Sequence, residues 1–253
     1  MNTNPVTYSL PVLLYHRIVN ERSVKGKHKI YVNEKDFEKQ MQHLKNSGYQ
    51  TITFFDLQQQ PAMDLQKKVI ITFDDGYTDN YELMFPILKR YGFKAVIYLV
   101  TQIDHNAWGV AGGEPRVNLM SPVQVKEMSD YGIEMGGHTQ LHKDLLKCSP
   151  NERLQELKGS KEDVEKLTNK NAISFAYPFG AVNEEIKKVT QSVGYSYAVS
   201  TNTGPKEFGN DPFQIRRIEI TPRTTLRSFK NKVSGTYFYP SFLKSLFTGK
   251  QTK

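Results

Sequence analysis

Apolar residues recur along this chain in two alternating rhythms. Short continuous runs at 12–15, 69–73, 95–100 and 173–177 are rich in β-branched and aromatic side chains and read as buried strands. Between them, apolar positions fall at helical spacing. Phe37, Met41 and Leu44 predict a helix over about 34–46, stopped by Gly48. A second helix over about 80–91 closes at Gly92. Ser121-Pro122 opens another with a cap and a proline at the first helical position. Ser149-Pro150-Asn151-Glu152 is a capping box that begins the longest helix, to about Leu167. Further helices are predicted over about 184–193 and 224–233, and further strands over 49–55, 132–136, 195–200 and 213–220. Residues 101–119 form a long glycine-containing loop that holds the sole tryptophan, Trp108. Loops of that length in a compact domain usually carry function.

Strand and helix alternate without a repeat or a linker, which predicts one α/β domain built on a parallel sheet. The expected core runs over about 10–233, with a separate tail at 234–253. Periodicity alone leaves an open doubly wound sheet and a barrel as alternatives. In a barrel, the active site gathers at the C-terminal ends of the strands. His16, Asp74, Asp75, His138 and Tyr177 all follow a predicted strand.

Composition adds three things. Of 253 residues 38% are hydrophobic, enough for one sizeable core, and no run approaches the roughly eighteen apolar residues of a membrane span. The single cysteine, Cys148, excludes an internal disulfide. The opening Met1-Asn2-Thr3-Asn4-Pro5 has no basic and apolar signal pattern, so the expected location is the cytoplasm. Nine Lys/Arg and one acid, Glu219, between Arg216 and Lys253 account for the whole net charge of +8. Phe229, Tyr237, Phe238, Tyr239, Phe242 and Phe247 are interleaved with them. That mixture suits peripheral contact with an anionic membrane, on the inner face given a cytoplasmic location; the alternative is a solvated terminal helix. No nucleic-acid motif accompanies the charge.

The candidate chemistry centres on Val69-Ile70-Ile71-Thr72-Phe73-Asp74-Asp75-Gly76, a buried strand that ends on two carboxylates and a glycine. Neighbours at a strand end project in different directions, so one aspartate can hold a metal while the other moves a proton. His138-Thr139-Gln140-Leu141-His142 places two imidazoles four residues apart, which on a helical turn puts both rings on one side. An aspartate and two histidines make a three-ligand site with positions left for water and substrate. The same donor set describes the facial triad of iron oxygenases, but the second carboxylate beside it favours hydrolysis. Trp108 offers a wall on which a sugar could stack.

Thr72-Phe73-Asp74-Asp75-Gly76, His138-Thr139-Gln140-Leu141-His142 and Ala176-Tyr177-Pro178-Phe179-Gly180 resemble the first three motifs of the family 4 carbohydrate esterases, the polysaccharide deacetylases. Pro11-Val12-Leu13-Leu14-Tyr15-His16-Arg17-Ile18 is similar to the branch that includes poly-N-acetylglucosamine deacetylases. The resemblance implies an irregular (β/α) barrel of about seven parallel strands and metal-dependent removal of N-acetyl groups from a hexosamine-containing glycan or lipid-linked saccharide. It implies Asp75, His138 and His142 as ligands of one divalent metal ion, zinc ahead of nickel, cobalt or manganese. Asp74 would be the general base, His16 the general acid, Phe179 a backbone oxyanion donor, and Tyr177 and Pro178 substrate contacts.

Two departures from the family pattern matter. The third motif has Ala176 where many relatives carry an arginine that pairs with the base aspartate, and no histidine follows His142 to act as the usual acid. Alternation along Gln214-Ile215-Arg216-Arg217-Ile218 nominates Arg217 as the substitute, against a surface pair with Glu219. These departures also raise the alternative of a glycan-binding domain that has lost catalysis. His28, His43 and His105 are expected at the surface.

Overall fold

A computed structural model describes residues 10–234 of the chain; the basic aromatic tail proposed for membrane contact lies outside them. Strand β1, Val12–Tyr15, is followed at once by β2, Arg17–Val19, which pairs in parallel with β3, Tyr31–Asn33. Helix α1, Glu34–Asn46, starts where the Asn33 side chain accepts from the Lys35 N–H. Its buried Phe37, Met41 and Leu44 form the apolar stripe read in the sequence.

The segment expected as a strand over 49–55 divides instead. β4 is only Gln50–Thr51, because Thr53 and Asp56 form a capping box that starts helix α2, Phe54–Gln59. β5, Lys68–Phe73, comes next and is almost wholly buried. The helix expected over 80–91 begins as a π-helical turn, Asn80–Met84, and continues as α3, Phe85–Tyr91. Pro86, with no N–H to donate, sits at this junction. β6, Val96–Leu99, leads into the long loop. That loop contains a short helix α4, Ala107–Ala111, which carries Trp108.

Helix α5, Pro122–Tyr131, precedes β7, Glu134–Gly137, and α6, Pro150–Thr168, precedes β8, Ser174–Ala176. Both helices begin at the capping boxes read from Ser121 and Ser149. Then come α7, Glu184–Ser192, β9, Tyr197–Val199, β10, Ile218–Glu219, and α8, Leu226–Val233. The strand expected over 213–220 is thus confined to its last residues. Its Ile215 makes only an isolated parallel bridge to Val199.

Seven parallel strands run in the order β10-β1-β5-β6-β7-β8-β9, with β4 pairing beside β5. They curl into a half-barrel with flanking helices, the (β/α) barrel-like fold expected. β5 lies near its middle: Val12 to Tyr15 pair with Ile70 to Phe73, while Thr72 and Phe73 pair with Val96 and Ile97. This central pairing buries a cluster of aromatic rings. Tyr15 stacks on Phe73 at 5.1 Å, and Phe37 meets both edge-on. No described helix is long and apolar enough to cross a membrane.

Candidate active site

The parallel sheet brings the ends of β1, β5, β7 and β8 to one face, where they border a cavity of about 270 Å³. Its lining includes His16, Asp74, Asp75, Trp108, His138, His142, Tyr177 and Phe179. At the end of β5, the Asp74 N–H still donates to the Tyr15 carbonyl at 3.0 Å. The chain then reverses through Asp75 and Gly76, both at φ 77°. Such a backbone suits glycine but is uncommon for aspartate, and it turns the two carboxylates apart.

The two histidines do not share a helical turn. Thr139 (φ 64°) and His142 (φ 57°) are left-handed, and the segment between them is a loop. What shapes this loop is α6. The buried Glu156 carboxylate accepts the N–H groups of Gln140 and Leu141 at 2.7 and 3.0 Å. The Gln140 side chain donates to Asp163, which also accepts from Thr101 and Gln102. Gly159 permits this approach, since a Cβ there would lie 2.4 Å from the Gln140 side chain. Anchoring to a helix, rather than helical spacing, therefore brings the imidazoles together.

His138 Nε2 and His142 Nε2 each stand 3.3 Å from Asp75 Oδ1, and ligand atoms of all three lie within 4.8 Å of one another. The Ala176 carbonyl, 2.7 Å from His138 Nδ1, can only accept, so the His138 proton sits on Nδ1 and the Nε2 lone pair faces Asp75. Asp75 Oδ1 is buried and has no hydrogen-bond partner. With neutral imidazoles, lone pairs facing a buried carboxylate oxygen repel unless a cation lies between them; in the metal-free protein a proton on either ring can fill that place. Two imidazoles and one carboxylate are also the donors of a catalytic zinc-type site. The residues fit a divalent metal.

Asp74 turns away from that cluster. Its two oxygens accept from Arg217 Nη1 and Nη2 at 2.6 and 2.7 Å, a bidentate pair in which Arg217 is 1% exposed. Arg217 also donates to the Ser200 carbonyl and Thr72 Oγ1. Burial raises the Asp74 pKa, but the Arg217 charge and hydrogen bonds outweigh it and hold the carboxyl below its ordinary value. The surface pair with Glu219 does not form. Ala176, at the position of the missing arginine, contributes its carbonyl to His138 instead.

Other expected residues are placed differently from one another. His16 borders the cavity, and its carbonyl accepts from Asn80 Nδ2 at 2.8 Å. Asp79 fixes the same corner: it binds Arg17 Nε at 2.8 Å and the Ile18 N–H. Burial pushes Asp79 up to about 6 although the Arg17 charge opposes it. Phe179 is 63% exposed and left-handed (φ 61°), with its ring edge toward His142. The Tyr177 ring is buried and its hydroxyl donates to the Phe213 carbonyl, so no phenol is offered to a substrate. Pro178 is buried and is not among the residues lining the cavity. Trp108 lies in the cavity wall with one face against the His142 ring.

Sequence reading missed Glu156 and Glu114, which accept backbone amides, Asp79, which sits in a buried pair with Arg17, and Asp163, which gathers the side chains of Thr101, Gln102 and Gln140; none carries a local pattern. His28, expected as a plain surface residue, is exposed yet borders the cavity opposite Glu114.

The model of the polysaccharide deacetylase family matches residues 63–198. The chain belongs to the polysaccharide deacetylase family. It is similar to YxkH of Bacillus subtilis, a candidate polysaccharide deacetylase, at 32% identity over 84% of this chain and 72% of that protein. It is 27% identical to the poly-β-1,6-N-acetyl-D-glucosamine N-deacetylase of Staphylococcus epidermidis, over 75% of this chain and 68% of that one. Among solved structures, the Streptococcus pyogenes deacetylase PplD in complex with acetate aligns with a TM-score of 0.76 and 28% identity, over 90% of this chain and 99% of that chain. BC0361, a polysaccharide deacetylase from Bacillus cereus, aligns at 0.75 and 31%, over 89% and 69%. The family places the chain among enzymes that remove acetyl groups from carbohydrates.

Proposed function

We propose that the chain is a metal-dependent N-deacetylase of N-acetylhexosamine units in a glycan or lipid-linked saccharide. One observation carries the metal dependence: buried Asp75 Oδ1 has no hydrogen-bond partner and faces two imidazole nitrogens at 3.3 Å. A divalent cation held by Asp75, His138 and His142, zinc first and nickel, cobalt or manganese otherwise, supplies Lewis acidity that lowers the pKa of a bound water from about 15.7 towards about 7 and polarises the acetamide carbonyl.

The chain's own groups do the rest. Asp74 takes the proton of the attacking water, and Arg217 keeps that carboxylate ionised and aimed. The Phe179 N–H donates to the oxygen that gains charge as water adds. His16 gives its proton to the nitrogen as the C–N bond breaks, leaving acetate and a free sugar amine. The preference for a lipid-linked or membrane-proximal sugar rests on the basic aromatic tail read from the sequence. Loss of binding to anionic liposomes on removal of residues 237–253 supports that preference; unchanged binding removes it.

The deciding measurement is acetate release from a panel of N-acetylated glycans and lipid-linked sugars, wild type against Asp74→Asn. Release by wild type alone supports the reading, and equal release by both removes Asp74 as base. Saccharide binding without acetate under saturating metal would point to a binding domain, and dependence on oxygen or a keto-acid to an oxygenase. The Arg217 pair on Asp74 favours a working enzyme over a relic, because a spent site has no need of an aimed carboxylate.

A further inference from the structure

The two candidate metal-binding imidazoles are held by different physics. His138 donates Nδ1–H to the Ala176 carbonyl at 2.7 Å. His142 is also buried, yet its Nδ1 has no hydrogen-bond partner. Metal-ligating histidines almost always donate that second N–H, which fixes the ring's orientation. Here two aromatic rings flank His142 instead. The Trp108 indole lies parallel to the imidazole, with centroids 4.0 Å apart and planes at 13°. The Phe179 ring meets it edge-on at 4.8 Å and 84°.

Trp108 is itself tied down. Asn106 at the head of α4 accepts from the Val117 N–H at 2.8 Å and donates to the Pro115 carbonyl at 2.9 Å. Glu114 then reaches across the cavity mouth to the segment after β2, where its carboxylate accepts the N–H groups of Lys27 and His28, each at 3.0 Å. Lys27 Nζ donates back to the Gly112 carbonyl at 3.4 Å. A Cβ at Gly26 would lie 1.8 Å from Glu114 Oε2, so the clasp needs glycine there.

We propose that Trp108 is a positioning residue of the metal site: its clasped indole takes the place of the missing hydrogen bond and holds His142 Nε2 toward Asp75. This rests on the metal dependence proposed above. An imidazole bound to a cation carries positive charge, and an indole face attracts positive charge. The stacking is therefore stronger in the metal-bound protein than in the metal-free one, and Trp108 raises metal affinity. The indole face turned to His142 is not available to a sugar.

The test uses the full chain, stripped by a chelator and titrated with Zn²⁺ against a chromophoric competitor. Trp108→Ala is expected to weaken Zn²⁺ binding by about 10- to 100-fold, the usual effect of removing a ligand's support. Trp108→Phe, which can still stack, is expected to recover most of that loss; Trp108→Ala also gives up packing against Tyr77, Val100 and Leu119, so the Phe variant, with a metal-free melting point nearer wild type, separates lost stacking from lost stability. Because Trp108 is the sole tryptophan, Co²⁺ should quench wild-type fluorescence in step with binding. Unchanged Zn²⁺ affinity in Trp108→Ala, or a Trp108→Phe as weak as Trp108→Ala, overturns the proposal. A wild type that binds no cation in either assay overturns the metal reading itself, and the positioning role with it.

Discussion

Arg217 and Asp74, 143 residues apart in sequence, meet through two parallel hydrogen bonds of 2.6 and 2.7 Å in a setting closed to solvent. An arginine supplied from the far end of the chain thus stands where the third motif offers only Ala176. Breaking one side of a buried pair leaves the other charge uncompensated, at about 3–5 kcal/mol. Arg217→Met is expected to lose that much at neutral pH in denaturant unfolding.

The sign follows from the depressed Asp74 pKa. The pair stabilises the fold above the unfolded carboxylate pKa of about 3.9, and this is lost as pH falls through the lower folded value. The gap between variant and wild type should therefore shrink in acid. Without the guanidinium, burial acts on Asp74 against only the weaker pull of His138 and His16, so the acid limb of kcat/KM should move to higher pH. An unmoved limb would mean that Arg217 does not tune this carboxylate.

His16 gives a separable test. In its proposed role as the acid that protonates the departing amine, it should be worth about 10²- to 10⁴-fold in kcat, while contributing nothing to metal binding. His16→Gln should lower acetate release by that range with Zn²⁺ affinity unchanged. A large fall in affinity instead would make His16 a ligand.

Glu156 should prove as important to the site as residues that face the cavity. Its carboxylate is the acceptor for two loop amides, Gln140 and Leu141. Glu156→Ala leaves both without it, at about 1–3 kcal/mol for each group left unsatisfied. The expected result is a lower melting point together with weaker Zn²⁺ binding, since the loop carries both histidines. Glu156→Gln, which keeps one acceptor oxygen, should fall between.

Chelation should abolish acetate release, and added Zn²⁺ should restore it. A cation present at about a thousand times its dissociation constant adds about 4 kcal/mol to stability, so melting should rise on reloading. Release that survives thorough chelation would sink metal dependence.

How much of this was legible in the sequence depended on range. Capping boxes at Ser121 and Ser149 are local chemistry, and both helices start there. The β5 run was legible because a strand buried on both faces must be apolar throughout. The same local rule misled over 49–55, where the alternation read as a strand yields at Thr53 to a capping box. The spacing of His138 and His142 pointed to the right neighbours for a different reason, since left-handed backbone and Glu156, not a helix, bring them together. The Arg217–Asp74 pairing could be nominated by alternation, but Glu114 and Glu156 act through backbone N–H groups that every residue carries, and nothing local marks them.

Asp75, Thr139, His142 and Phe179 all sit at positive φ, in a region that side chains enter at a cost of about 1–3 kcal/mol each. A screen for heat tolerance would accordingly be drawn to glycine at these four places. Two of the gains would delete the proposed metal ligands Asp75 and His142, and Phe179→Gly, though it keeps the backbone N–H, would remove the ring that flanks His142. Only Thr139, whose hydroxyl has no partner, offers relaxation without removing an assigned group. Hardening this scaffold against heat therefore has to be sought at the opposite end of the barrel, where rigidity and turnover do not compete for the same residues.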